Sequence, residues 1–356
     1  MPEFYCPIRP AESPYAASAE QDALDWLEKF QIFETPAQGN YFARSRFPLF
    51  PSKALPDAAD AVRLSLPGKE VVWLQSFDDV HSDERPGGAL PPHDYITLLS
   101  KLTRIIEDPA ADVLPGNRWA DALRDLRLAV AENASPVQVD RWIHATTEYF
   151  AGLLWEAVNR AENRVPTLND YVAMWLKQSG VYPCIVFTDI ACGYEVSAAD
   201  WSGPKVRQLR EIVSAIIGWD NDLTSYDKEV HRSAEHGFPL VQNLVSVLQS
   251  EFACDADEAV ALTGSMRDRA MARFLRLRDE VSAYGNDTVT RYVHGLGQWV
   301  RAYLDYSGAS PRYMDPDNPD DAAVTNRSLT GWTIVNTRKP ERSDLPSIPC
   351  IDSWWA

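Results

Sequence analysis

A chain of 356 residues, 45% of them hydrophobic, can bury a large core as one big domain or two ordinary ones. Its 34 basic residues stand against 51 acidic ones, and the formal charge of -17 excludes a generic affinity for nucleic acid or for an anionic membrane; an anionic ligand would need cations to bridge it. Five scattered cysteines without C-x-x-C spacing argue against a disulfide framework and a zinc site and fit a reducing cytoplasm, while no leader-like pattern opens the chain and no run of about 18 apolar residues occurs.

Helical periodicity dominates. In SAEQDALDWLEKF, Ser18 is the expected N-cap and Gln21 takes the capping-box position ahead of Leu24, Leu27 and Phe30. The run VVWLQSFDDVHSDE reads as a helix whose C-terminal end carries an acidic cluster, before a Pro/Gly-rich loop at 86–92. Helices are expected over 94–106, 118–132, 136–162 and 167–180, with Gly180 and Pro183 breaking a helix that otherwise would continue. Further helices are expected over 204–232, 240–252, 255–285 and 288–308. Several exceed the usual length, as a bundle around a deep cavity requires, and period-two alternation is nearly absent. The expected class is therefore all-α: a bundle over residues 1–316 and an irregular, proline- and acid-rich tail over 317–356, folded back by Trp354 and Trp355.

Two polar clusters follow apolar runs. Asp79 and Asp83 are four apart and share a helix face, with Asp78 about 100° round from Asp79. Carboxylates this close repel, and the helix dipole disfavours them at a C-terminus. A solvated acidic turn is one reading. A Mg²⁺ site with hard oxygen ligands is the other. His81, inside the cluster, is read as an exposed bystander. The second cluster, NDLTSYDKE, sets Asn221, Ser225 and Glu229 at i, i+4 and i+8, a stripe advancing about 40° per step that can hold one divalent ion, with Lys228 beside it for an anion.

Asp78-Asp79-x-x-x-Asp83, then Asn221-Asp222-x-x-Ser225-x-x-Lys228-Glu229, then Arg312-Tyr313, in this order and with flanks such as YVAMW and GFPLVQNLVSVL, resembles the bacterial class I terpene synthases over most of residues 5–316. The resemblance implies a single α-bundle binding three Mg²⁺ with the diphosphate of a linear C15 or C20 isoprenyl substrate, and a cyclised product. It implies Asp78 as main ligand of the first row, supported by Asp79 and Asp83; Asn221, Ser225 and Glu229 as ligands of another ion; Lys228 and Arg312 on diphosphate oxygens; and Tyr313 at the mouth. A homodimer is common among such proteins. An allylic cation needs aromatic walls, and 12 Trp, 14 Tyr and 12 Phe are available. Trp73, Phe77, Trp175, Phe187 and Trp299 are the expected pocket residues.

One position departs from the family pattern. Trp175 stands where such enzymes commonly carry a diphosphate-sensing arginine, and Gln178, Ser179 and Gly180 replace the usual Asp/Gly pair at the helix break. Lys177 is a partial substitute, about 200° round the helix from that position. The favoured reading has Lys228, Arg312 and the metals ionise the substrate while Trp175 extends the aromatic wall. Two rivals stand beside a cyclase: a prenyl chain elongase, whose second row would be another D-D-x-x-D, and a helical isoprenoid-binding homologue with weak or no catalysis.

Overall fold

The computed structural model describes residues 3–82, 90–236, 242–314, 332–338 and 342–355. A short strand β1 (Glu3–Tyr5) precedes α1 (Ala16–Phe30), α2 (Pro36–Arg44), α3 (Leu49–Ala54) and α4 (Ala61–His81). Next come α5 (Pro92–Glu107), α6 (Arg118–Asn133), α7 (Pro136–Ala161) and α8 (Leu168–Gln178), then three short turns, α9 (Val181–Ile185), α10 (Phe187–Ala191) and α11 (Ala198–Ser202). The long helices α12 (Pro204–His236), α14 (Ala256–Tyr284) and α15 (Asp287–Ser307) enclose α13 (Leu244–Phe252) in the chain, and α16 (Pro311–Met314), β2 (Thr333–Val335) and a closing 3-10 turn (Pro349–Trp355) end it.

The all-α expectation holds, with one addition: β1 pairs in parallel with β2, Glu3 opposite Thr333 and Tyr5 opposite Val335. Strands of three residues are too short to print a period-two signal. Side-chain caps start most helices: Asp60 accepts from Arg63 N, Thr167 from Asp170 N and Asn286 from Val289 N. Ser135 and Gln138 form a full capping box on α7, whose first residue is Pro136. Ser18, expected as a cap, lies inside α1, which starts after Tyr15 without a side-chain cap.

α12 packs against α14, α15 and α8, α4 against α1 and α6, and α7 against α5 and α8. The α7–α8 approach is close because Gly152 has no side chain; a Cβ there would stand 2.6 Å from Gln178 N. Gly180 takes the left-handed conformation, φ +67°, that separates α8 from α9, so the expected break falls where glycine permits it. Deep in the core, Arg267 of α14 pairs with Asp220 of α12 at 2.7 Å, both fully buried, and also donates to the Tyr5 carbonyl of β1. The C-terminal segment is docked: Arg342 donates to Glu258 at 2.7 Å, Cys350 N to Asn169 at 2.8 Å and Trp354 Nε1 to Glu211 at 3.1 Å, strapping α14, α8 and α12. No described helix is long and apolar enough to cross a membrane.

Candidate active site

Val71, Leu74, Gln75 and Asp78 recur at i, i+3, i+4 and i+7 on α4 and form one wall of a cavity. Asp78 is the last polar group of this stripe. Asp79, about 100° round, points elsewhere: its two oxygens accept from both Nη atoms of Arg312 on α16, at 2.6 and 2.7 Å, with both side chains buried. The guanidinium offsets the unfavourable dipole at the end of α4. Asp79 was expected in the metal row; it is instead engaged by Arg312. Asp83 lies outside the described residues.

The facing wall is α12, where Ile217, Gly218, Asn221, Ser225, Lys228 and Glu229 line the cavity. Ser225 Oγ donates to Glu229 Oε1 at 2.5 Å, so two of the expected donors already converge. The Asn221 amide nitrogen donates to the hydroxyls of Tyr303 (3.0 Å) and Tyr313 (3.2 Å), so Oδ1 is the atom of this amide that could accept or ligate. Asp222 faces the other way, 1% exposed, taking the Tyr171 hydroxyl of α8 at 2.8 Å; burial and nearby Glu229 push its carboxyl well up. Asn243 braces the row from the N-terminus of α13: its amide donates to Glu229 Oε2 and to the Asp222 carbonyl, both at 3.0 Å, while its Oδ1 caps Val245 N. The sequence signal for this brace is an Asn directly before an apolar helix.

Arg312 and Tyr313 reach the mouth from α16, and Tyr313 meets Tyr303 and Tyr306 edge-on. The apolar part of the wall comes from Phe50 of α3, Tyr149 of α7, Val181 and Cys184 of α9, and Tyr303 and Tyr306 of α15. Burial pushes the hydroxyls of Tyr149, Tyr303 and Tyr306 well up, so all three stay neutral.

Four of the five expected pocket aromatics are elsewhere. Trp73 and Phe77 stack on one another (4.6 Å) on the face of α4 opposite Val71 and Gln75, and Trp73 Nε1 donates to the Trp119 carbonyl of α6. His81 continues that stack on Phe77 at 4.4 Å and so is no bystander. Adjacency to Asp78 in sequence misled because one residue turns the helix by about 100°. Phe187 is fully buried beyond Cys184, where the lining of the broken helix ends. Trp299 lies behind Phe50, edge-on at 5.1 Å, and donates to Thr188 at 3.0 Å. Phe50, Tyr149, Tyr303 and Tyr306 were missed; Tyr303 and Tyr306 follow Trp299 at i+4 and i+7, a readable stripe.

Trp175 does line the cavity, stacked on Tyr171 at 5.4 Å and seated on Gly218. Lys177 is no substitute cation: it faces outward and pairs with Glu148.

The sequence model described as "Terpene synthase family 2, C-terminal metal binding" matches residues 69–273, which include the α4 and α12 rows. The chain belongs to the terpene synthase family. The bonnadiene synthase of Allokutzneria albata is 33% identical over all of this chain and 97% of its own length. The (+)-(1(10)E,4E,6S,7R)-germacradien-6-ol synthase of Streptomyces pratensis is also 33% identical, over 100% of this chain and 96% of its own. Among solved structures, the SVS_A2 protein from ancestral sequence reconstruction superposes with a TM-score of 0.82 at 28% identity, covering 100% of this chain and 98% of that one.

This terpene synthase is thus an enzyme of the all-α class I fold, dependent on a divalent metal. Its donor set fits such an ion: a carboxylate on α4 faces a row of amide, hydroxyl and carboxylate oxygens on α12. Oxygen donors of this kind are those of a hard divalent cation.

Proposed function

We propose that this terpene synthase takes a linear C15 or C20 isoprenyl diphosphate, ionises it with three Mg²⁺ and cyclises the allylic cation to a terpene. The observation that carries the reading is the convergence of Asp78, the Asn221–Ser225–Glu229 row, Lys228 and Arg312 on one cavity whose remaining wall is aromatic and aliphatic. Bound Mg²⁺ supplies Lewis acidity that neutralises the departing diphosphate. Asp78, Asn221 Oδ1, Ser225 Oγ and Glu229 would hold the ions, and Lys228 and Arg312 would meet diphosphate oxygens with charge-assisted hydrogen bonds. Asp79 acts through Arg312, fixing its guanidinium. Trp175, Tyr149 and Phe50 exclude water and offer ring faces to the cation. Five free cysteines support a reducing, cytoplasmic setting.

A chain elongase fits less well because the second row offers amide, hydroxyl and one carboxylate where an elongase would present aspartates. Incubation with C10, C15, C20 and C25 isoprenyl diphosphates and Mg²⁺, followed by hydrocarbon analysis, separates the readings. A cyclic product that disappears with EDTA and in Asn221→Ala is expected. A longer diphosphate would mark an elongase, and no turnover of any substrate would mark a binding homologue.

A further inference from the structure

We infer that Gln242 is a further diphosphate-binding residue, its amide N–H donating to a diphosphate oxygen in the cavity that Lys228 and Arg312 also line; this rests on the reading of the cavity as the reaction site. Gln242 lines the same cavity as Ser225, Lys228 and Glu229 and is 6% exposed; the residue after it, Asn243, reaches Glu229 at 3.0 Å. Neither the amide nitrogen nor the amide oxygen of Gln242 has a hydrogen-bond partner among the described residues. The contrast with its neighbour is sharp: Asn243, one residue on, has its amide engaged on both sides, by Glu229, the Asp222 carbonyl and Val245 N.

A primary amide stripped of water and left unbonded on both sides is costly, and buried polar groups in native proteins are nearly always satisfied. An orphan of this kind on a residue that lines a cavity is held for a ligand. The neighbours decide its chemistry. Lys228 and Arg312 attract an anion, and an amide nitrogen in the same cavity adds a neutral donor suited to an oxygen-rich anion. A hydrocarbon chain offers it nothing, whereas a diphosphate offers several acceptors.

The test uses inorganic pyrophosphate with Mg²⁺ as probe, titrated calorimetrically into the full chain and into Gln242→Leu and Gln242→Glu. Gln242→Leu keeps the volume and removes the donor, so pyrophosphate affinity is expected to fall about tenfold or more. Its melting temperature is expected to match or exceed that of the parent, because a buried unsatisfied amide has gone. Gln242→Glu, which adds a negative charge, is expected to bind pyrophosphate more weakly still. Pyrophosphate affinity within twofold of the parent in either variant overturns the assignment, as does a loss in Gln242→Leu accompanied by a lower melting temperature. A parent protein that binds no pyrophosphate with Mg²⁺ overturns the active-site reading itself.

Discussion

Gly218→Ala is the smallest change that tests how the cavity is shaped. A methyl at this position would stand 2.6 Å from Trp175 Cδ1 and closer still to Nε1, against an optimal carbon–carbon separation of about 3.5–4.0 Å. The indole must therefore move by about 1 Å. It cannot retreat: Tyr171 stacks on it at 5.4 Å and is itself held by Asp222, and α8 touches the α7 backbone through Gly152. The open direction is the cavity. Overpacking of this kind costs about 1–3 kcal/mol. A melting temperature lowered by a few degrees is expected, together with a changed ratio of cyclised products, because the ring now intrudes where the cation folds. The second variant, Trp175→Phe in the Gly218→Ala background, removes the clashing pyrrole edge and should recover most of the stability. Calorimetry, pyrophosphate release and product analysis together check this. A Gly218→Ala enzyme with parental melting temperature, turnover and products would refute the reasoning, since Trp175 would then not be fixed by Gly218.

Asp78→Asn is expected to raise the Mg²⁺ requirement roughly tenfold or more, whereas Asp79→Asn should leave that requirement near the parent's and lower turnover and stability through Arg312; a Mg²⁺ titration of both variants separates the roles. Phe77→Ala should cost about 3–5 kcal/mol of stability in denaturant melts and leave the product distribution unchanged, because Phe77 packs on Trp73 and His81 outside the cavity. Glu70 is 1% exposed, accepts the Trp142 indole N–H at 3.0 Å, and burial pushes its carboxyl up to about 8. Between its unfolded value and about pH 8 the unfolded chain releases this proton while the folded chain keeps it, so folded stability falls as pH rises through that window and levels off above it. Glu70→Gln should flatten the slope of melting temperature against pH from 5 to 9; an unchanged slope would show that Glu70 is not the group responsible.

Most long helices were legible because their apolar residues recur at 3.6-residue spacing, and Gly180 marked the break by its conformational freedom. α2 and α3 were not, and α3 supplies Phe50 to the cavity: six residues containing a proline carry too little periodicity to stand out. That Asp78 and the Asn221–Ser225–Glu229 stripe line one cavity was legible because type and spacing put oxygen donors on one helix face. The aromatic wall was not, since which ring faces inward depends on helix phase; Phe77 and Asp78 are neighbours in sequence and lie on different faces of α4. Asp79 illustrates the same limit. Its type and spacing matched a ligand, and its partner, Arg312, was visible only once α16 was placed against α4.

The four residues of α16 connect the two rows. Arg312 grips Asp79 at the end of α4, and the next residue, Tyr313, accepts from the Asn221 amide on α12. Ser310, just ahead, donates to the Ser45 carbonyl at 2.7 Å and accepts from Arg312 N, anchoring the turn to the α2–α3 corner. The spacing of the rows across the mouth therefore depends on this turn as well as on the packing of α4 and α12. Truncating Arg312 removes more than the diphosphate contact proposed for it: the buried Asp79 carboxylate at the C-terminus of α4 loses this guanidinium, and both desolvation and the dipole disfavour its charge. Arg312→Lys keeps the charge and loses the two-pronged grip, so its defect measures how much of the role is geometry. If that variant matched the parent in turnover and in Mg²⁺ requirement, point charge alone would suffice and the connecting role of α16 would fall.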